Sequence, residues 1–207
     1  MHQMSKQESG ELWKRYLAGE GEALEALMKG HYTLLVQYGK KFTPDIHLIQ
    51  DCIQHIFLSL WKNRSNINDT PSVSHYLLKA LRNKLQRELF KNKSPILIDA
   101  GALEFRNTLQ AELSPEARMI LEEQTCQLAE KVREGIASLS GRQQEIIYLR
   151  FYLNATSSEI SEIMGISRQS VYNLLNEAIA RLRTIGEAHF KTILSCAVLF
   201  IAGSFLF

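Results

Sequence analysis

Residues Ser161–Leu175 read SEIMGISRQSVYNLL, two short amphipathic segments hinged on a single glycine. Residues Ser157 to Met164 predict one short helix with Ile160, Ile163 and Met164 turned inward. Gly165 permits the left-handed residue that a sharp helix stop needs. Ile166 plugs the joint, and Ser167 stands where an N-cap belongs, satisfying open amide hydrogens. The second segment sets Val171, Leu174, Leu175, Ala178 and Leu182 on one buried face. Its opening residues do not pack: Ser167, Arg168, Gln169, Ser170, Tyr172 and Asn173 are all rich in hydrogen-bonding groups. That is a helix-turn-helix arrangement, whose second helix enters the major groove N-terminus first. Arg matches guanine acceptors and Gln or Asn matches adenine, each worth roughly 1–3 kcal/mol of discrimination when bidentate. Arg181 and Arg183, further along, suit the phosphate backbone. An ordinary helical hairpin with a polar surface has the same local pattern.

Working outward, almost every segment carries a helical period. Glu22 to Lys41 places Leu24, Leu27, Met28, Leu34, Leu35 and Tyr38 on one face. A new segment begins at Pro44 and Asp45, with Ile46, Ile49, Ile53, Ile56, Phe57, Leu60 and Trp61 as its stripe. SNINDTPSV, from Ser65, has loop chemistry. Helix resumes at Ser74 with Leu77, Leu78, Leu81, Leu85 and Leu89 as its apolar set; Lys79, Arg82, Asn83, Gln86 and Arg87 lie mostly outside it. Lys93 to Ser114 has no sustained period and reads as a linker. Another helical block starts near Pro115, a residue suited to a first turn, and SLSGRQQEIIYLRFY adds a further helix before the opening motif. The expected fold is therefore all-α: two small helical domains joined by an extended acidic linker, the second a helix-turn-helix domain, plus an apolar C-terminal segment. The expected boundaries are 1–93, linker 94–114, 115–187 and tail 188–207.

Of the 207 residues, 45% are hydrophobic and 22% charged, and the net charge of +2 excludes a globally polybasic chain. Charge is unevenly placed. Lys79 to Lys93 holds six basic residues against one acid, whereas Asp99 to Glu134 holds eight acids against four bases. Such asymmetry suits a nucleic-acid face followed by an acidic connector; a solvated helix face is the plainer reading. Cys52, Cys126 and Cys196 form no CxxC pair, so neither a disulfide framework nor a zinc site is indicated, and a reducing cytoplasm is expected. The six histidines show no metal-ligand spacing. No Gly-rich phosphate loop or nucleophile–base pairing is present. No catalytic residue, metal or cofactor is expected. The N-terminus is too polar for a signal peptide. Thr192 to Phe207 carries no charge. As a helix it would reach about 24 Å, short of the ~30 Å hydrocarbon core of a bilayer, so burial on the protein and membrane contact both stay open.

Leu139 to Arg183 resembles the fourth region of bacterial sigma-70 factors, which runs Leu-Pro-x-Arg-x-Arg-Glu, a Glu-Ile-Ala helix, Gly-[Ile/Val]-Ser, and a recognition helix ending Ala-x-x-x-Leu-Arg. DCIQHIFLSLWKNR, from Asp51, resembles that family's second region, with Asp51, Gln54, Phe57 and Trp61 at its intervals. YLLKALRNKLQRELFK, from Tyr76, resembles the segment just after it. The match covers about residues 20 to 183 and looks like the compact extracytoplasmic-function (ECF) group. Departures are Ser140 for Pro, Gln144 for Arg, Ser161 for Ala, and Gln50 and His55 where acids are frequent.

The resemblance implies a factor that makes no bonds itself but lends core RNA polymerase the ability to find and open a promoter. Asp51 and Gln54, with an edge of the otherwise core-like Phe57 and Trp61, would dock on the clamp of the largest subunit. The helix-turn-helix domain would lie at the flap of the second. Asn66, Asn68 and Asp69 would capture an unstacked base of the minus-ten element, with Lys79, Arg82, Asn83 and Arg87 as a basic face beside them. The recognition helix would read the minus-thirty-five element, and the linker would thread toward the RNA exit path. An anti-sigma protein is an expected partner, and the tail could tether the factor to a membrane or fold back over a working surface. Two other functions stay in competition. An autonomous helix-turn-helix regulator would explain Ser161 to Arg183 but not the Asp51–Trp61 pattern. A membrane-associated helical interaction protein would explain the tail and basic segments.

Overall fold

The computed structural model describes residues 4–91 and 133–185, with side chains to Arg183. All regular structure among them is helical, in two compact units built around these two stretches. The linker 94–114, the start of the block at Pro115 and the apolar tail lie outside the described residues.

The N-terminal unit holds α1 (Lys6–Leu17), α2 (Gly21–Lys40), α3 (Ile46–Lys62), a 3-10 turn at Arg64–Asn66, and α4 (Val73–Phe90). Ser5 opens α1 by accepting from the Glu8 amide at 3.1 Å, and Asp45 opens α3 by accepting from Leu48 at 3.1 Å. These caps satisfy amides that have no partner inside the helix. α2 packs on α1, α3 and α4, and α4 also meets α1 and α3. The shared interior holds Trp13, Tyr16, Leu27, Leu35, Tyr38, Ile49, Ile53, Leu77, Leu78, Leu81 and Leu85, none above 1% exposed. At about 1.5–3 kcal/mol for each large apolar side chain, this burial dominates the unit's stability.

α1 was not foreseen as a helix, yet its Trp13 and Tyr16 are wholly buried. Trp13 lies 5.2 Å from the Tyr76 ring of α4. The Tyr16 hydroxyl donates to the Leu60 carbonyl at 2.6 Å. Behind them Ser9 and His31 join α1 to α2 through a buried 3.1 Å bond. At the corner between α1 and α2, Gly19 adopts φ +108°, and a Cβ there would stand 3.3 Å from the Arg64 guanidinium. That guanidinium also covers the Trp61 ring, 5.2 Å from its centroid.

The described part of the C-terminal unit opens on helical residues 133–137, followed by α5 (Gly141–Ile147), which widens into a five-residue turn at Tyr148–Tyr152. α6 (Ser157–Met164) and α7 (Arg168–Ile185) follow. Ser140 caps α5 reciprocally with Gln143: its hydroxyl accepts from the Gln143 amide, and its own amide donates to Gln143 Oε1 at 3.1 Å. Thr156 and Glu159 make the same box at α6. α5 packs on α7, and Gln143 donates across to Glu177 at 3.2 Å. Asn154 takes φ +51° ahead of α6, a left-handed position that asparagine tolerates better than most residues. Ile160, Ile163 and Met164 are buried as expected. Val171 and Ala178 are buried too, while Leu174, Leu175 and Leu182 are half-buried.

Candidate nucleic-acid interface

The turn between α6 and α7 is built as the sequence indicates. Gly165 is left-handed at φ +66°. The Ile166 amide donates back to the Ser161 carbonyl at 3.2 Å, and the Ser161 hydroxyl donates to the Ile166 carbonyl at 2.6 Å. Ser161 therefore stitches both strands of the turn, a bond that the family's alanine cannot make. Ser167 accepts from the Ser170 amide at 3.1 Å, and its hydroxyl lies 2.9 Å from that of Ser170. Those two hydroxyls serve the helix start first.

Arg168, Gln169, Tyr172 and Asn173 stand exposed at the head of α7, Tyr172 at 51%. They are not independent. The Arg168 guanidinium reaches back to the Ser158 hydroxyl in the first turn of α6 at 2.8 Å. One turn apart, the Gln169 amide donates to Asn173 Oδ1 at 3.1 Å. Arg181 and Arg183 are exposed further along the same helix. The arrangement can place donors and acceptors against base edges and cations against phosphates.

In the N-terminal unit, Asn66, Asn68 and Asp69 are exposed on the loop between α3 and α4, where Asp69 accepts from the Thr70 amide at 2.8 Å. The basic face beside them is thinner than the sequence suggests. Arg82 is 2% exposed, which corrects its placement on the outer face of α4. The reason is helical spacing: position 82 lies one turn from both Leu78 and Leu85, inside the covered stripe. Lys84 and Lys91 pair with Glu88 at 2.9 Å and 3.7 Å, and Lys84 holds that carboxyl below its usual range. Lys79 and Arg87 are the exposed cations of this helix among the described residues that are outside such pairs, and Asn83 is half-buried between them.

On α3, Asp51, Gln54, Leu58 and Trp61 form an exposed line at intervals of three and four residues, with His55 alongside. Leu58 is 60% exposed and Trp61 43%. Phe57 is 5% exposed, so it belongs to the interior and not to this face. Trp61, by contrast, lies outside the core stripe in which its spacing had placed it. Sequence reading missed Leu58, whose signal is its position one turn from both Gln54 and Trp61. Gln50 donates to the Tyr32 hydroxyl at 2.9 Å, and His55 Nδ1 lies 3.2 Å from the Ser59 hydroxyl. Among the described residues, no three His, Cys, Asp or Glu side chains gather as a metal site, and no helix is long and apolar enough to cross a membrane.

Together these features define a class: a two-unit helical protein whose second unit carries a helix-turn-helix with an unpacked, polar recognition-helix head. Residues 27–94 match the model of Sigma-70 region 2 and residues 135–184 that of Sigma-70, region 4, together more than half of the chain. The chain belongs to the sigma-70 family. It is similar to the RNA polymerase sigma-F factor of Kitasatospora aureofaciens, 43% identical over 53 residues; the match covers 26% of this chain but only 18% of that relative. It is also similar to Bacteriocin UviA of Clostridium perfringens, 23% identical over 176 residues, covering 80% and 91% of the two chains. Among solved structures, CnrH in complex with the cytosolic domain of CnrY shares the fold, with a TM-score of 0.55 at 20% identity, over 87% of this chain and 97% of that one.

Proposed function

We propose that this chain is an ECF-type sigma factor, which binds core RNA polymerase and directs it to a promoter that it reads at two elements. The observation that carries this reading is the exposed line on α3, Asp51–Gln54–Leu58–Trp61, in the same chain as the helix-turn-helix. An autonomous DNA-binding regulator has no use for the first. Its mixed character, acid and amide at one end and apolar at the other, fits a protein partner, since apolar anchors inside a polar surround typify interfaces. The clamp of the polymerase's largest subunit is the proposed occupant.

Asn66, Asn68 and Asp69 then lie on the loop that would receive an unstacked minus-ten base, with Lys79, Asn83 and Arg87 toward the phosphates. The head of α7 would read the minus-thirty-five element, and Arg181 and Arg183 would hold its backbone, with this unit at the flap of the second subunit. The proposed domain division follows the expected one, region 2 within 1–93 and region 4 within 115–187. An anti-sigma protein is a further proposed partner, supported by the complex in which the CnrH fold is found. A cytoplasmic location follows from working on the polymerase. Run-off transcription with purified core polymerase over a genomic promoter library is the test. Start sites that appear only with the chain support the reading; their absence on every template would sink it.

A further inference from the structure

We infer that Gln169 and Asn173 act as one composite reader of a single adenine in the major groove of the upstream promoter element. The inference rests on the promoter-reading function proposed above and assigns a base to it.

The two side chains lie one turn apart on the exposed face of α7, at the N-terminal end that enters the groove first. Their amides are already joined, Gln169 Nε2 donating to Asn173 Oδ1 at 3.1 Å. This bond consumes one donor and one acceptor. It leaves Gln169 Oε1 as an open acceptor, and the second Gln169 Nε2 hydrogen and the Asn173 amino group as open donors. Reversing both amides exchanges their roles and again leaves one open carbonyl oxygen beside free N–H groups. Guanine offers two acceptors in the major groove, cytosine one donor, and thymine one acceptor beside a methyl. Only adenine offers an acceptor, N7, and a donor, the N6 amino group, side by side on one base. That edge answers both the free N–H groups and the open carbonyl oxygen of the joined pair, whereas guanine, with acceptors alone, would leave the oxygen unmatched.

Two further observations favour a single reader over two separate ones. The bond restricts side-chain torsions before DNA arrives, so less freedom remains to be lost on contact. Arg168, the residue on this helix head best suited to guanine, is turned away to the Ser158 hydroxyl at 2.8 Å. There it lies by the first turn of α6, the helix that crosses the phosphate backbone in this motif. Arg168 thus positions, and the amide pair specifies.

The test uses the full chain with core polymerase and a promoter library randomised through the upstream element. The wild type should enrich adenine strongly at one position. Gln169→Ala, Asn173→Ala and the double variant should each lose that preference by a similar factor, roughly 5- to 150-fold, because breaking either half breaks the unit. A 7-deazaadenine at that position, which lacks the N7 acceptor, should lower wild-type transcription and have little further effect on either variant; this arm needs no altered protein fold. Arg168→Ala should weaken all sequences alike and flatten the salt dependence. Losses that multiply at two different positions, a preferred base other than adenine, or indifference to 7-deazaadenine would overturn the pair while leaving promoter reading intact. A wild-type chain that selects no start site overturns the proposed function itself, and this assignment with it.

Discussion

Replacing Gly165 with alanine tests whether the hinge before α7 depends on backbone geometry alone. The residue sits at φ +66°, ψ 36°, where an L side chain costs about 1–2 kcal/mol. A Cβ placed there meets nothing within 4 Å, so no clash adds to that cost. Alanine also restricts the unfolded chain, which offsets roughly 0.4–1 kcal/mol. The net loss is about 1 kcal/mol, equivalent to a fall of ~4–8 °C in midpoint for a unit of this size. Gly165→Asn should fall by less, because asparagine visits this region more readily. Scanning calorimetry on the full chain measures both, with run-off transcription reporting whether the head of α7 still meets its element. If alanine unfolds at the wild-type temperature, or asparagine proves worse than alanine, left-handed strain is not what fixes the turn.

Leu58→Glu should leave stability within ~0.5 kcal/mol, as expected for an exposed site, yet weaken binding to core polymerase about tenfold or more; equal affinity would remove Leu58 from the interface. Tyr16→Phe should cost roughly 1–2 kcal/mol in urea unfolding by stripping the Leu60 carbonyl of its buried donor. In the wild type, burial pushes the Tyr16 phenol up to about 12, so ultraviolet titration should show it un-ionised at pH 11. Burial also lowers the pKa of His31 below 6.5. The unfolded chain then takes up a proton first as the pH falls. Stability present above pH 6.5 should therefore decline as the pH drops through the folded value, and His31→Gln should flatten this part of the profile. Urea midpoints between pH 7.5 and 5 would measure it.

The parts of the fold that were legible in the sequence are those fixed within a turn or two of chain. The hinge at Gly165, the Ser167 cap and the inward Ile160, Ile163 and Met164 are local matters, and each falls where the spelling puts it. α1 was missed because its case rests on distant partners: Trp13 needs Tyr76, Tyr16 needs Leu60, and Ser9 needs His31. Arg82 misled because its charge outweighed its register between Leu78 and Leu85. Side chains that depart from the family pattern are not idle. Ser140 completes a capping box, Gln144 donates to the Leu139 carbonyl at 2.9 Å, and Ser161 ties the hinge. Residue types were readable there, but which neighbour would use them was not. The same holds at the candidate interface, where Gln169 and Asn173 were read one by one and their mutual bond changes what they can recognise.

The guanidinium of Arg64, seated between the Trp61 ring and the bare backbone of Gly19, makes that corner a matter of joint inheritance. A side chain at Gly19 is strained at φ +108° and makes the cation give way by a few tenths of an ångström, and a shortened residue at 64 strips the indole of its roof. Lineages that alter one of these three positions should be found to have altered a second, and a swap at Gly19 alone should loosen the base of the asparagine loop before it disturbs the helices beneath.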